Sequence, residues 1–109
     1  MKIIIILIII LLKIILLFTD LMDKFEYKLN NDIFQKFNTA QEWTDINCAM
    51  TELKDTLLKY SNTLNFSKIS NKEQLAKRLA QGLNSTLPGG LHETTLMVYD
   101  ILLENIRVI

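Results

Sequence analysis

Residues 77–106, KRLAQGLNSTLPGGLHETTLMVYDILLENI, decide how the rest of the chain is read. The stretch reads as a helix, a stop at Pro88-Gly89-Gly90, and a second helix that begins at once. Before the stop, Leu75, Leu79 and Leu83 recur four residues apart, with Ala76 and Ala80 beside them. That is an apolar stripe with small residues in it, suited to close helix contact. Pro88 has no amide hydrogen and disfavours helix at Leu87, and the paired glycines permit a tight reversal.

After the stop, a helical wheel gathers Leu91, Thr95, Leu96, Val98, Tyr99, Leu102, Leu103 and Ile106 on one broad arc. Glu93, Thr94, Met97, Asp100, Glu104 and Asn105 take the other side. A stripe that wide suits a helix with more than one neighbour. The unit is an αα-hairpin that cannot cover its own apolar faces, and such units are commonly stacked.

Working outward, Phe37, Glu42-Trp43, Asp45, Lys77-Arg78-Leu79-Ala80-Gln81, Leu87-Pro88-Gly89-Gly90, His92 and Tyr99 occur in an order that resembles the N-terminal region of the Dopey family. The resemblance covers roughly residues 29–106, with a few extra residues around 58–70. Dopey proteins are very long α-solenoids of endosome and Golgi membrane traffic. The resemblance therefore implies a scaffold fragment, peripheral attachment to the cytosolic face of Golgi, trans-Golgi and endosome membranes, and a Mon2-like protein partner. It implies no chemistry.

At 109 residues the chain holds one small domain at most. Twelve basic and twelve acidic residues are interspersed, so no basic footprint marks a nucleic-acid partner. One cysteine, Cys48, excludes an intramolecular disulfide and any metal site built of cysteines.

Residues 1–18, MKIIIILIIILLKIILLF, hold fifteen Ile, Leu and Phe interrupted by Lys13. As a helix they span about 27 Å, against a bilayer core of about 30 Å. The apolar residues favour insertion by roughly 5–9 kcal/mol in sum, and Lys13 opposes with about 2.5–3.5. Insertion wins. Two other readings stand beside a membrane span: an uninserted low-complexity extension of the gene model, and a signal peptide, which lacks a small-residue cleavage site at Phe18-Thr19-Asp20.

Residues 20–38 read as a first amphipathic helix carrying Leu29, Ile33, Phe34 and Phe37, which Phe25 extends. Asn30-Asn31 weakens its middle. Residues 41–60 form the cleanest helix, with Trp43, Ile46, Met50, Leu53, Leu57 and Tyr60 three and four apart and a Thr39–Glu42 capping box at its start. At that spacing Trp43 reads as a core anchor. Residues 61–69 form a loop that tucks Leu64, Phe66 and Ile69 inward. Asn65 and Asn84 head glycosylation sequons, which a cytosolic protein would ignore. A second capping box, Ser70 to Glu73, starts the third helix near Asn71, and Gly82 inside that helix marks close backbone packing or early fraying. The chain ends on Ile106, Val108 and Ile109, as a truncated array would.

His92, the lone histidine, reads as a packed side chain bonded to the preceding loop. Lys77-Arg78 reads as a solvated face, although lipid phosphate or an acidic partner would suit it. The Leu87–Gly90 turn lacks the Lys-Ser/Thr of a phosphate loop, and Cys48 has no electropositive neighbour to activate it. No nucleophile, base and orienting group come together, so no enzyme, cofactor or metal is expected.

The expected fold is all-α: four helices in two antiparallel hairpins, the start of a HEAT/armadillo-like α-solenoid, preceded by an N-terminal hydrophobic helix. The boundary falls between residues 1–18 and 20–109. The expected function is a non-enzymatic Dopey-like scaffold in endosome–Golgi protein transport. The alternative is a small signal-anchored membrane protein with a helical interaction domain.

Overall fold

A computed structural model describes residues 2–64 and 66–105. The expectations for Asn65 and for Ile106, Val108 and Ile109 lie outside those residues. Among the described residues the chain is all-α, in five helices: α1 (Lys2–Lys28), α2 (Phe34–Thr39), α3 (Trp43–Tyr60), α4 (Lys72–Gly82) and α5 (Gly89–Asn105). A π-helical turn, Leu29–Ile33, joins α1 to α2, and a 3₁₀ turn, Phe66–Lys68, lies in the loop after α3.

The separate helices expected over 1–18 and 20–38 are one rod. It accounts for the elongated shape, 65 × 26 × 20 Å. Every described side chain up to Asp20 is exposed, and packing begins at Leu21 and Met22. The weakness foreseen at Asn30-Asn31 appears as the π turn, in which the Phe34 amide donates to the Leu29 carbonyl. Its physical reason lies in the spacing of Phe25, Leu29, Ile33 and Phe37, all buried. Apolar residues four apart drift by about 40° per step around a helix of about 3.6 residues per turn. One wider turn cancels part of that drift and keeps all four on one face.

That face packs antiparallel on α3: Phe25 meets Tyr60, with ring centroids 5.3 Å apart, while Lys28 and Lys36 meet Glu52. Phe66 closes on Phe25 from the loop, at 5.7 Å. Leu64, Phe66 and Ile69 are buried as expected. On the other side, α3 packs most extensively against α5, and α4 lies on α5. Helix α3 is thus the central element, and Ala49, Met50, Leu53 and Leu57 form its buried stripe.

Several expectations are corrected. Trp43 is 46% exposed, because it occupies the first position of α3, ahead of that stripe, which begins at Ala49. Thr39 does not cap α3: its hydroxyl donates to the Gln35 carbonyl at 3.0 Å, inside the end of α2. The cap is made instead by Asp45, whose Oδ2 accepts the amides of Gln41 at 3.2 Å and Glu42 at 3.3 Å. The Ser70–Glu73 box does not form either. The Ser70 amide donates to Glu26 Oε1 at 2.9 Å and Asn71 Nδ2 to Asn30 Oδ1 at 3.1 Å, which ties the start of α4 to the rod.

Along α4, Leu75 and Leu79 are buried, but Leu83, Ala76 and Ala80 are exposed, so the small-residue stripe is not the contact. Gly82 is. A Cβ there would lie 2.2 Å from Thr95 Oγ1 and 2.8 Å from Met50 Cε. The helix ends at that contact, and the reversal falls on residues 83–87, ahead of the glycines. Gly89 and Gly90 are the first turn of α5, with no positive φ, and Pro88 caps it through its carbonyl, which accepts from Leu91 at 3.1 Å. These glycines predict opposite outcomes. Gly82→Ala should destabilise by about 1–3 kcal/mol, since the buried Thr95 hydroxyl already bonds the Leu91 carbonyl and cannot retreat. Gly90→Ala meets nothing within 4 Å and should stabilise by about 0.5–1 kcal/mol. Thermal melting of both variants checks the contrast.

On α5 the buried residues are Leu91, Thr95, Val98, Ile101 and Leu102. At about 100° per residue, this arc is turned by roughly 80° from the expected one. The turn brings in Ile101 and leaves Leu96 and Leu103 exposed, because α3 and α4 approach from one side and the helix has no described neighbour on the other.

Candidate functional site

Two features of the chain face outward with chemistry to offer. The first is a polar hollow between α2 and α4, lined by Asn30, Phe34, Gln35, Asn38, Ser70, Asn71, Gln74, Lys77 and Arg78. Arg78 is its centre and corrects the expectation of a solvated Lys77-Arg78 face. Lys77 is exposed, but Arg78 is only 8% exposed. Its guanidinium lies over the Phe37 ring, 5.5 Å from the centroid, a favourable cation–π placement.

The Arg78 hydrogen bonds all go to neutral oxygens. Nη1 donates to Gln81 Oε1 at 2.9 Å, and Nη2 donates to Asn38 Oδ1. The Gln74 amide, with its oxygen turned to the guanidinium, accepts from Nε at 3.0 Å and Nη2 at 3.1 Å. No ion pair joins Arg78 to a carboxylate among the described residues. The sequence carried one signal for this. Arg78 falls one residue before the buried Leu79 and three after the buried Leu75, on the edge of the α4 stripe.

The second feature is a four-residue ion network between the rod and α3. Lys28 Nζ lies 2.7 Å from Glu52 Oε1, Lys36 Nζ lies 3.2 Å from Asp32 Oδ1, and Lys28–Asp32 and Lys36–Glu52 close the ring. The Asp32 and Glu52 hydrogen bonds raise Lys28 to about 12. Those from Glu52 and Asp32 raise Lys36. The Lys28 and Lys36 bonds hold both carboxyls below their ordinary values. The depressed carboxylates contribute stability above their ordinary values, 3.8 and 4.5, and lose it as pH falls through the folded values. The raised lysines contribute below 10.5 and lose it as pH rises through their folded values, about 12 for Lys28. Melting temperature should therefore be flat across neutral pH and fall below about pH 4. Glu52→Gln should flatten the acid limb, and an acid limb unchanged in that variant would show that other carboxylates carry it.

Among the described residues no three His, Cys, Asp or Glu side chains gather as metal ligands. Cys48 is free and exposed. Lys36 lines a separate shallow hollow with Cys48, between the end of α2 and the start of α3, contrary to the expectation that no basic residue is near, but its ammonium is held by Glu52 and Asp32. His92 Nε2 lies 2.7 Å from the Asn84 carbonyl and so donates to it, pinning the reversal loop to α5. Asn84 is exposed, and its Oδ1 accepts the Thr86 amide and hydroxyl at 3.0 and 2.9 Å.

A family model described as Dopey, N-terminal, matches residues 21–109. The chain belongs to the Dopey family. It is 36% identical over 84 residues to a DOP1 homolog of Plasmodium falciparum, covering 74% of this chain and 2% of that protein. It is 28% identical over 87 residues to protein DOP1B of Mus musculus, covering 76% and 4%. With protein pad-1 of Caenorhabditis elegans it shares 32% identity over 79 residues, covering 69% and 3%. The chain thus spans 2–4% of the length of these relatives. No solved structure matches it.

The residues that carry the Dopey resemblance do not form one site. Phe37, Arg78 and Gln81 come together around the buried guanidinium, beside exposed Lys77. Leu79 is buried in the core, and Leu87 and Tyr99 pack against it, while Ala80 is exposed. Asp45 caps α3 beside Trp43, and Pro88, Gly89, Gly90 and His92 build the entry to α5. Most of the Dopey pattern here is therefore structural, made of caps, turns and core. The cluster at Arg78 is the part with an outward face.

Proposed function

We propose that this Dopey segment is a non-enzymatic helical scaffold element in protein transport between endosomes and the Golgi. It works by presenting helix faces at the cytosolic side of those membranes. The reading rests on the family match together with the uncovered apolar side of α5, where Leu96 is 53% and Leu103 70% exposed. Isolated exposed leucines are ordinary, but two of them seven residues apart on one helix make a stripe that a following helix would cover. In that role the segment opens an α-solenoid, and a Mon2-like protein is among its partners. No nucleic acid, cofactor or metal takes part. Tagged chain in cells tests the reading: it should co-localise with trans-Golgi and endosome markers. Uniform cytosolic fluorescence of a stably expressed chain would overturn it.

A second reading, a membrane-anchored protein with a helical interaction domain, is favoured by one observation. α1 is long and apolar enough to cross a membrane, and none of the apolar window is buried. Alkaline carbonate extraction separates the two, since a peripheral scaffold is released and a spanning helix stays with the pellet.

A further inference from the structure

We propose that the hollow between α2 and α4 is a phosphate-binding site for a phosphorylated side chain of a partner polypeptide. The argument starts from charge. Arg78 is a buried cation whose partners are carboxamide oxygens and an aromatic face, so its charge is solvated but not neutralised. A guanidinium does not lose its proton to escape that situation. Lys77, on the same wall, adds a second positive charge that no carboxylate pairs among the described residues. No Asp or Glu lines the hollow. Glu26 stands outside the lining, where its Oε1 accepts the Ser70 amide.

The hydrogen-bond polarity points the same way. The Asn30 and Asn38 oxygens accept from Asn71 and Arg78, and the Gln74 oxygen accepts from Arg78. Each of these amides turns its oxygen to one of the chain's own donors, and its NH2 end makes no hydrogen bond among the described residues. A concave wall with three carboxamide donors, an ammonium and a buried guanidinium suits a multiply charged oxyanion. A single carboxylate offers two oxygens and one charge; a phosphate monoester offers three oxygens and close to two charges. At the rim, Gln35 and Asn71 retain carboxamide groups able to take a peptide's N–H and C=O. A lipid headgroup is the other source of such a phosphate, and the vesicle arm of the test addresses it; in a chain whose residues 2–18 span a bilayer, Asn30 is twelve residues beyond Phe18, about 18 Å along the rod and past the headgroup layer.

The test uses the full chain in nonionic detergent, with isotope-labelled side-chain amides followed by NMR. Titrations use a short phosphoserine peptide, the same peptide unphosphorylated, and phosphatidylcholine vesicles with and without a phosphatidylinositol monophosphate. The phosphopeptide should move the Asn30, Asn38 and Gln74 amide signals saturably, and Lys77→Glu should weaken it by about tenfold or more. Asn38→Asp is the second variant, chosen because Arg78 replacements endanger folding. It supplies the missing counter-charge, so it should raise the melting temperature and abolish binding together. Equal response to the unphosphorylated peptide, binding only to phosphoinositide vesicles, or unchanged binding in folded Asn38→Asp would each overturn the proposal.

Discussion

Phe25→Ala should cost about 3–5 kcal/mol, the largest loss expected from a single core truncation in this chain. Phe25 is fully buried and stacks on Tyr60 of α3 and Phe66 of the loop. It is also the first residue of the rod to be buried. Three separate segments therefore converge on one ring, and removing it opens a cavity that none of them can close without breaking another contact. For a unit of this size the melting temperature should fall by about 15 °C or more. Leu103→Ala, at a side chain 70% exposed, is the control and should change stability by less than about 0.5 kcal/mol. Thermal melts of the two variants decide the matter. Coincident transitions would mean that the rod is not anchored at Phe25.

The helices could be read from periodicity because each carries its apolar residues three or four apart, and that spacing survives any detail of packing. What escaped were features set by neighbours. Trp43 has core spacing, yet it is the first residue of α3, ahead of the buried run from Ala49 to Leu57. The α5 wheel has apolar residues on more than half its circumference, so periodicity alone cannot choose the buried side. Contact with α3 and α4 chooses Ile101 over Leu96.

The termini of helices misled for another reason. Thr39 and Ser70 have the capping residue type, but Thr39 bonds back into α2, and the Ser70 amide finds Glu26 forty-four residues away. Local motifs lose to tertiary partners in this way. Arg78 is the instructive case for the site. A charged residue beside apolar ones reads as surface, and only the fold reveals an aromatic face and three amide oxygens placed to receive it.

Replacing Ile6 and Ile9 together with lysine should convert the chain from membrane-retained to carbonate-soluble, if residues 2–18 span a bilayer. Fifteen apolar residues at about 0.3–0.6 kcal/mol each, less about 2.5–3.5 for Lys13, leave a net insertion of roughly 1–6.5 kcal/mol. Two further lysines near the middle remove about 6–8, which cancels all or nearly all of that net insertion. The single Ile9→Lys variant removes about 3–4 and should divide the protein between pellet and supernatant. Both side chains are exposed on the free part of the rod and touch no core residue, so the helical unit from Leu21 onward should melt as before. That independence separates membrane insertion from folding. If the parent chain is itself released by carbonate, residues 2–18 do not insert. The exposed apolar rod would then need a protein surface to cover it, which returns the argument to a scaffold whose helices are completed by a partner.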